Sequence, residues 1–146
     1  MKISNIQKER AAYQPKLPAV MQGTVIAIEG EATQSVDDKE EIQKLFPNTY
    51  GMPVVTFAPS EKTVTEQFNV GVILSGGQAP GGHNVICGIF DAIKKINPNN
   101  KLFGFLMGPS GLVDHKYKEL TADIIDEYRN TGGFDIIGSG RTKLEK

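Results

Sequence analysis

The chain has 146 residues, which fits one domain with an appendage and excludes two large domains. Sixteen basic and seventeen acidic residues give a formal net charge of −1 at pH 7, so its charge gives no reason to expect binding to nucleic acid or to an anionic membrane surface. The single cysteine, Cys87, excludes an internal disulfide framework and any cysteine-rich zinc site.

The sequence shows no sign of export or of membrane insertion. Residues 1–10 are polar and lack the apolar core of a signal peptide. No apolar run approaches the roughly 20 residues that a helix needs to cross a bilayer. We therefore expect a cytoplasmic protein that has neither a membrane nor a nucleic acid as its partner.

The first part of the chain, residues 1–66, has mixed character and is predicted to be an N-terminal extension. A helix within residues 3–13 is expected to be capped by Ser4 and to end before Pro15. The elements predicted after it are a strand over 24–28, a helix over 39–46 capped by Asp37 or Asp38, a strand over 52–58 and a polar connector over 61–67.

The second part, residues 67–146, shows a clearer alternation of strands and helices. Strands are predicted over 69–74, 101–107 and 134–137, and helices from His83 or Asn84 to 96 and over 116–129. This order is typical of an α/β fold, so we expect part of an open, mainly parallel sheet with flanking helices. The apolar face of the first of these helices is predicted to consist of Val85, Ile86, Ile89, Ile93 and Ile96.

The most informative motif is the glycine-rich turn between the predicted strand at 69–74 and the helix after it. Such a turn gathers backbone N–H groups at the positive end of a helix, and Gly76, Gly77, Gly81 and Gly82 would let an anion approach them closely. The alternative is a tight turn in which glycine only supplies a positive φ. Four glycines and a proline between a buried strand and a helix favour the anion site. The turn is neither a Walker A loop nor a Rossmann fingerprint, because both spacings are absent.

A second candidate is the basic turn at 138–143, which reads GSGRTK and follows the predicted strand at 134–137. Arg141 could hold a phosphate through two parallel hydrogen bonds, and Lys143 could add a point charge. The alternative is a solvated basic turn near the end of the chain.

The remaining reactive side chains are predicted to have structural roles. Asp114 and His115 are adjacent, which does not make a catalytic pair, so Asp114 is read as a helix cap and His115 as a surface residue. His83 is expected to help start its helix rather than to act in catalysis. Cys87 follows the apolar Ile86 and is predicted to be a packed thiol.

Residues 70–86 read VGVILSGGQAPGGHNVI, and this stretch resembles the opening of the phosphofructokinase family. It is most similar to the long, pyrophosphate-dependent members, because ATP-dependent members usually carry an acidic residue after the paired glycines and lack the Gly-His pair. Further segments agree in the order that the family shows: LFPN at 45–48, YKELT at 117–121, TGGFD at 131–135 and GSGR at 138–141. The resemblance therefore extends over nearly the whole chain.

The resemblance implies transfer of a phosphoryl group from pyrophosphate to the 1-hydroxyl of fructose 6-phosphate in glycolysis, with Mg²⁺ as cofactor. It implies that Gly76 and Gly77 contact the donor phosphate and that Arg141 lies across it. With Gly81 and Lys143, these form the predicted donor-binding set. Positioning and charge stabilisation catalyse phosphoryl transfer, so backbone N–H groups, an arginine and magnesium suffice. The resemblance also implies a homo-oligomeric enzyme.

The family's later motifs do not occur in these 146 residues. The resemblance puts the magnesium ligands in a Gly-Gly-Asp-Asp segment and the catalytic base in a Thr-Ile-Asp-Gly-Asp-like segment. We therefore expect an N-terminal fragment of a longer enzyme, with no catalytic base or metal ligand of its own and inactive alone. Two alternatives stay open: an ATP-dependent phosphofructokinase, and a stand-alone, non-catalytic module that binds an anion.

Overall fold

The computed structural model describes residues 4–143 and shows an α/β protein with two sheets and flanking helices. The chain divides into two compact units. One unit consists of residues 16–64, and the other consists of the described residues on either side of that segment. No helix within 4–143 is both long and apolar enough to cross a membrane.

Helix α1, Asn5–Ala12, belongs to the second unit and begins where the sequence predicted. The Ser4 hydroxyl accepts a hydrogen bond from the Gln7 N–H at 3.2 Å, and the Gln7 side chain accepts one from the Ser4 N–H at 2.8 Å. This reciprocal pair satisfies two N–H groups at the start of the helix and confirms Ser4 as the cap. At the other end, the Asn130 side chain donates to the carbonyl oxygens of Arg10 and Tyr13.

The unit at 16–64 is a two-stranded antiparallel hairpin with short helices. Strand β1, Val25–Ala32, pairs with β2, Pro53–Pro59, so β1 runs through Gly30 and is longer than predicted. Helix α2, Lys39–Leu45, lies between them in the chain. Asp38 occupies the N-cap position of α2, as predicted, but it has a left-handed backbone with φ of 51° and its side chain makes no capping hydrogen bond.

The second unit contains a three-stranded sheet in the order β3-β4-β5. Strand β3, Asn69–Val72, pairs in parallel with β4, Lys101–Phe105, across the crossover helix α3, Gly82–Ile96. Helix α4, Pro109–Val113, then leads to strand β5, Tyr117–Glu119, which pairs antiparallel with β4. Helix α5, Ala122–Tyr128, follows.

The core of this unit lies where α3 and α5 meet the sheet. Ile86 and Ile93 are buried as predicted, but Val85 is 59% exposed and Ile96 is 41% exposed. Phe90 and Cys87 complete the buried face of α3 in their place. The other buried apolar residues of the core are Val72, Leu74, Leu102, Leu120, Ile125, Ile136 and Ile137.

Two predicted elements are wrong. The predicted helix over 116–129 is split, because Tyr117–Glu119 pairs with the edge of β4 and the helix begins only at Ala122. The predicted strand over 134–137 does not form, although Ile136 and Ile137 are buried. The N–H groups of Asp135 and Ile136 donate to the side chain of His83, so they do not donate to a neighbouring strand.

Candidate functional site

Three glycine-containing segments meet beyond the carboxyl ends of β3 and β4. Ser75 and Gly140 form a parallel bridge, and the Gly76 N–H donates to the Gly140 carbonyl at 2.8 Å. The Met107 N–H donates to the Ile137 carbonyl at 2.9 Å. The segment at 137–140 is therefore bonded to the chain that leaves β3 and to the chain that leaves β4.

Glycine is required at this junction because the backbones touch. Gly108 has a left-handed φ of 74°, and a β-carbon on it would lie 2.5 Å from the Gly140 nitrogen. A β-carbon on Gly140 would collide with the carbonyl oxygen of Met107. Neither position can take a side chain without moving a backbone segment.

The junction places Arg141 beside the glycine-rich turn. A β-carbon added to Gly77 would lie 2.8 Å from Nη2 of Arg141, so the guanidinium rests over this glycine. Both residues are exposed. Within residues 4–143, the N–H groups of Gly77, Gln78 and Ala79 have no hydrogen-bond partner. Exposed residues with unpaired N–H groups, one of them in contact with a guanidinium, form an arrangement that can bind a phosphate-like anion.

The other two glycines of the predicted set use their N–H groups inside the chain. Gly76, with φ of 105°, donates to Gly140, and Gly81, with φ of 97°, donates to the Gly132 carbonyl at 2.7 Å. Both sit in the left-handed region that only glycine adopts easily. Their direct contact with a phosphate stays a prediction. In the structure, their backbone conformations and hydrogen bonds set the path of the turn. Lys143 is exposed in the segment that carries Arg141.

His83 is the residue whose importance the sequence did not indicate. Its side chain is 2% exposed, and its Nε2 accepts hydrogen bonds from the N–H groups of Asp135 at 2.9 Å and Ile136 at 3.0 Å. Burial lowers the pKa of this imidazole, and the nearby Asp135 carboxylate opposes that shift only in part. The one signal in the sequence was a histidine directly after paired glycines at the start of an apolar helix.

His115 and Cys87 lie where the sequence predicted, whereas Asp114 lies at the C-terminal end of α4 and does not cap a helix that begins at 116. His115 is exposed and has a left-handed backbone with φ of 54°. Cys87 is buried against α5, with its Sγ 3.8 Å from the Ile125 carbonyl, and burial raises the pKa of the thiol. A buried thiol of raised pKa behaves as a packed apolar group.

The described residues offer no ready metal site. No group of three or more His, Cys, Asp or Glu side chains within 4–143 is placed to hold an ion.

Comparisons with known proteins agree with the resemblance. The chain is 65% identical over 144 residues to the pyrophosphate–fructose 6-phosphate 1-phosphotransferase of Porphyromonas gingivalis, covering 98% of this chain and 26% of that protein. It is 48% identical over 158 residues to the enzyme of that name from Treponema pallidum, covering 99% of this chain and 28% of that one. It is 46% identical over 145 residues to subunit beta 2 of the Arabidopsis thaliana enzyme, covering 97% of this chain and 26% of that subunit. No protein-family model matches the chain.

The resemblance to the pyrophosphate-dependent enzymes is thus confirmed over nearly the whole chain. The chain spans about a quarter of the length of these curated relatives. It matches a fragment of that enzyme.

Proposed function

We propose that the chain is part of a pyrophosphate-dependent phosphofructokinase and forms one side of its phosphate-donor site. The observation that carries the proposal is the position of the Arg141 guanidinium over Gly77, beside backbone N–H groups that have no partner within residues 4–143. Ligands of open α/β sheets bind at the carboxyl ends of the strands, and this contact lies beyond the end of β3. The names of the relatives support pyrophosphate as the donor.

In this proposal, the chain binds and orients the donor. Arg141 would hold two oxygens of one phosphoryl group, since its planar fork matches the geometry of phosphate. The N–H groups of Gly77 and Gln78 would donate to the same group from the turn, and Lys143 would add a positive charge. These contacts stabilise the negative charge that spreads over the transferring oxygens in a loose transition state.

The acceptor chemistry would be supplied from outside these residues. The base that takes the proton from the 1-hydroxyl of fructose 6-phosphate is proposed to lie in a part of the enzyme that this chain does not contain. Mg²⁺, when bound there, would neutralise charge on the donor oxygens. We therefore propose that the 146 residues alone do not turn over substrate.

Several broader features are proposed with this function. The parallel pair β3–β4 would be the first part of a larger, open, mainly parallel sheet. Residues 1–66 would form an N-terminal extension and residues 67–146 the first part of the donor lobe. We also propose a cytoplasmic homo-oligomer that acts in glycolysis, without membrane or nucleic-acid partners.

The test is an assay of the full-length protein that carries this chain, in parallel with the 146 residues alone. With pyrophosphate, fructose 6-phosphate and Mg²⁺, the full-length protein is expected to form fructose 1,6-bisphosphate, and the short chain to give only background. Turnover with ATP in place of pyrophosphate would instead identify an ATP-dependent enzyme. Anion binding without turnover by the full-length protein would identify a non-catalytic module. Turnover by the 146 residues would place the catalytic base among residues that we consider structural.

A further inference from the structure

His83 is a buried imidazole that the proposed chemistry does not use. The N–H groups of Asp135 and Ile136 both donate to its Nε2, and from these two bonds we assign the lone pair to Nε2 and the ring proton to Nδ1. Nδ1 lies 2.5 Å from the Thr131 hydroxyl, which in turn donates to the Tyr128 carbonyl at 2.7 Å. The ring is thus a neutral bridge from the end of α5 to residues 135 and 136.

The backbone around His83 strengthens this bridge. The His83 N–H donates to the Gly133 carbonyl at 2.9 Å, and the Gly81 N–H donates to the Gly132 carbonyl. The Asn84 side chain accepts from the Gly132 N–H at 3.3 Å. A β-carbon on Gly133 would lie 2.6 Å from Cε1 of the imidazole, so the loop lies directly against the ring. The start of α3 therefore holds the loop at 131–136 by both backbone and side chain.

This loop leads without a break into the segment that carries Arg141. Ile137 is bonded to Met107, Gly140 is bonded to Gly76, and Arg141 follows at once. We propose that His83 is a positioning residue, whose neutral ring fixes the loop at 131–136 and thereby holds Arg141 over Gly77. The effect of His83 on catalysis rests on the proposed function, in which Arg141 binds the donor phosphate.

Protonation of His83 would undo the arrangement. An N–H on Nε2 cannot accept from the two backbone donors, and the Asp135 carboxylate, with its Oδ1 at 2.9 Å, is the charged group placed to take that proton in a hydrogen bond. Asp135 is 76% exposed, and the ring of Tyr128 lies edge-on to the imidazole with 4.8 Å between the ring centroids. The loop would then be held to His83 through the Asp135 carboxylate instead of through the two backbone N–H groups, and the backbone that leads to Arg141 would shift.

Two substitutions test the hydrogen-bond acceptor at the position of Nε2 separately from the rest of the imidazole. In His83→Gln, the side-chain oxygen can reach the position of Nε2 and accept from Asp135 and Ile136, but it cannot ionise near neutral pH. In His83→Asn, the shorter amide can reach Thr131 but not these backbone donors. Misplacing a binding group by about 1 Å can lower a rate about 100-fold. For the full-length protein we expect His83→Asn to lower kcat/KM for pyrophosphate by about 10- to 100-fold, mostly in KM, and His83→Gln to recover most of it.

A structural measurement on the 146-residue chain tests the proposal independently of activity. At neutral pH, the amide NMR signals of Gly76, Gly140 and Arg141 are expected to move in His83→Asn and to stay near their wild-type positions in His83→Gln. On acidification these signals should shift as the His83 ring becomes protonated, both in the wild type and in the control His115→Asn. In His83→Gln they should stay in place. If His83→Asn does not fold, Thr131→Val, which removes the acceptor of the Nδ1 proton, is expected to move the same signals.

The outcomes distinguish this inference from the function on which it rests. A folded His83→Asn protein with wild-type signals at Gly140 and Arg141 would overturn the positioning role, and so would unmoved signals in Thr131→Val. Equal losses of activity in His83→Gln and His83→Asn would also overturn it, because the acceptor at Nε2 would then be irrelevant. If the wild-type full-length protein neither binds nor uses pyrophosphate while the signals move as expected, the proposed function fails and the positional role of His83 stands.

Discussion

The N–H of Gly76 and the carbonyl oxygen of Gly140 are joined by a 2.8 Å hydrogen bond. The residues that follow them, Gly77 and Arg141, form the candidate site. Gly77 and Arg141 are neighbours in space because this bond aligns the two segments that carry them. The bond is made between backbone atoms, so it fixes the position of Arg141 while leaving its side chain to meet a ligand.

Gly76 and Gly77 are expected to respond differently to alanine. Gly76 has φ of 105° and open space around the β-carbon position, so Gly76→Ala should destabilise the fold by about 1–2 kcal/mol through backbone strain. Gly77 has no such φ, and its added methyl group would instead push aside the flexible end of Arg141. Gly77→Ala should therefore weaken pyrophosphate binding at nearly unchanged stability. Urea denaturation and calorimetric titration of both variants measure the two effects; a Gly77→Ala protein with wild-type affinity would contradict the assignment.

Arg141 is expected to matter for turnover and not for folding, because it is exposed. In the full-length protein, Arg141→Ala should lower kcat/KM for pyrophosphate by about 100-fold or more, the scale of losing a charge-assisted contact to the transferring group. Arg141→Lys should recover little, since lysine cannot form two parallel hydrogen bonds. Lys44→Ala, which removes an exposed lysine in the hairpin unit, is the control for net charge. Near-wild-type rates in Arg141→Ala would show that the basic turn is only solvated surface.

Gly140→Ala should damage both the fold and the site. The added methyl group would meet the Met107 carbonyl oxygen, which is backbone and cannot rotate away, so we expect a loss of about 1–3 kcal/mol. Gly88→Ala is the matched control: Gly88 is exposed inside α3 with nothing within 4 Å of the β-carbon position, and alanine should stabilise the helix by about 0.5–1 kcal/mol. Thermal denaturation of the two variants should move Tm in opposite directions. A gain of stability in Gly140→Ala would mean that the backbones do not touch as described.

His83 should make stability fall at acid pH. Its pKa in the folded chain lies below the ordinary value of 6.5, so the unfolded chain binds the proton more readily. The stabilisation is therefore fully present above pH 6.5 and is lost as the pH falls through the lower, folded-state pKa. Denaturation at a series of pH values should show this loss in the wild type and in His115→Asn, and a smaller loss in His83→Gln. A His83→Gln protein with an unchanged acid profile would assign the loss to other groups.

Arg129 should contribute to stability by joining α3 to the end of α5. Its guanidinium makes two hydrogen bonds to Asp91, at 2.7 and 3.0 Å, and one to Asp126 at 3.1 Å. These bonds raise the pKa of Arg129, led by the contact with Asp91. Because both carboxylates are more than half exposed, Arg129→Ala should cost only about 1–2 kcal/mol, and less at high salt. Asp123→Asn is the control, and urea midpoints at two salt concentrations measure the difference. A loss that salt does not reduce would point to packing of the arginine stem.

Elements whose ends are set by residues close to them in the sequence could be predicted from the sequence. The cap at Ser4, the helix that starts near His83, and the parallel strands on either side of that helix all follow from caps, glycines and apolar spacing. The nearness of Arg141 to Gly77 was implied by the family resemblance and not by a strand end, because the strand predicted just before Arg141 does not form.

The errors occur where a distant contact decides the local structure. Tyr117 has the spacing of a helix, yet it pairs with the edge of β4 and packs its ring against Phe103 and Phe105. The run from Phe134 to Ile137 is apolar enough for a strand, but His83 takes two of its N–H groups. Propensity alone could not show this, because His83 lies far from that run in the sequence.

The junction at Gly140 also has a consequence for the order of folding. Strand β3, helix α3 and strand β4 are consecutive in the chain and can associate over short loops, whereas the bond from Gly76 to Gly140 closes a long one. Closing long loops is entropically unfavourable until other contacts have formed, so we expect this bond to form late in folding. During synthesis, we expect β3, α3 and β4 to be able to associate while the segment around Arg141 is still inside the ribosome. We therefore expect Arg141 to reach its place after β3, α3 and β4 have associated, so that a nascent chain would have secondary structure before it could bind an anion.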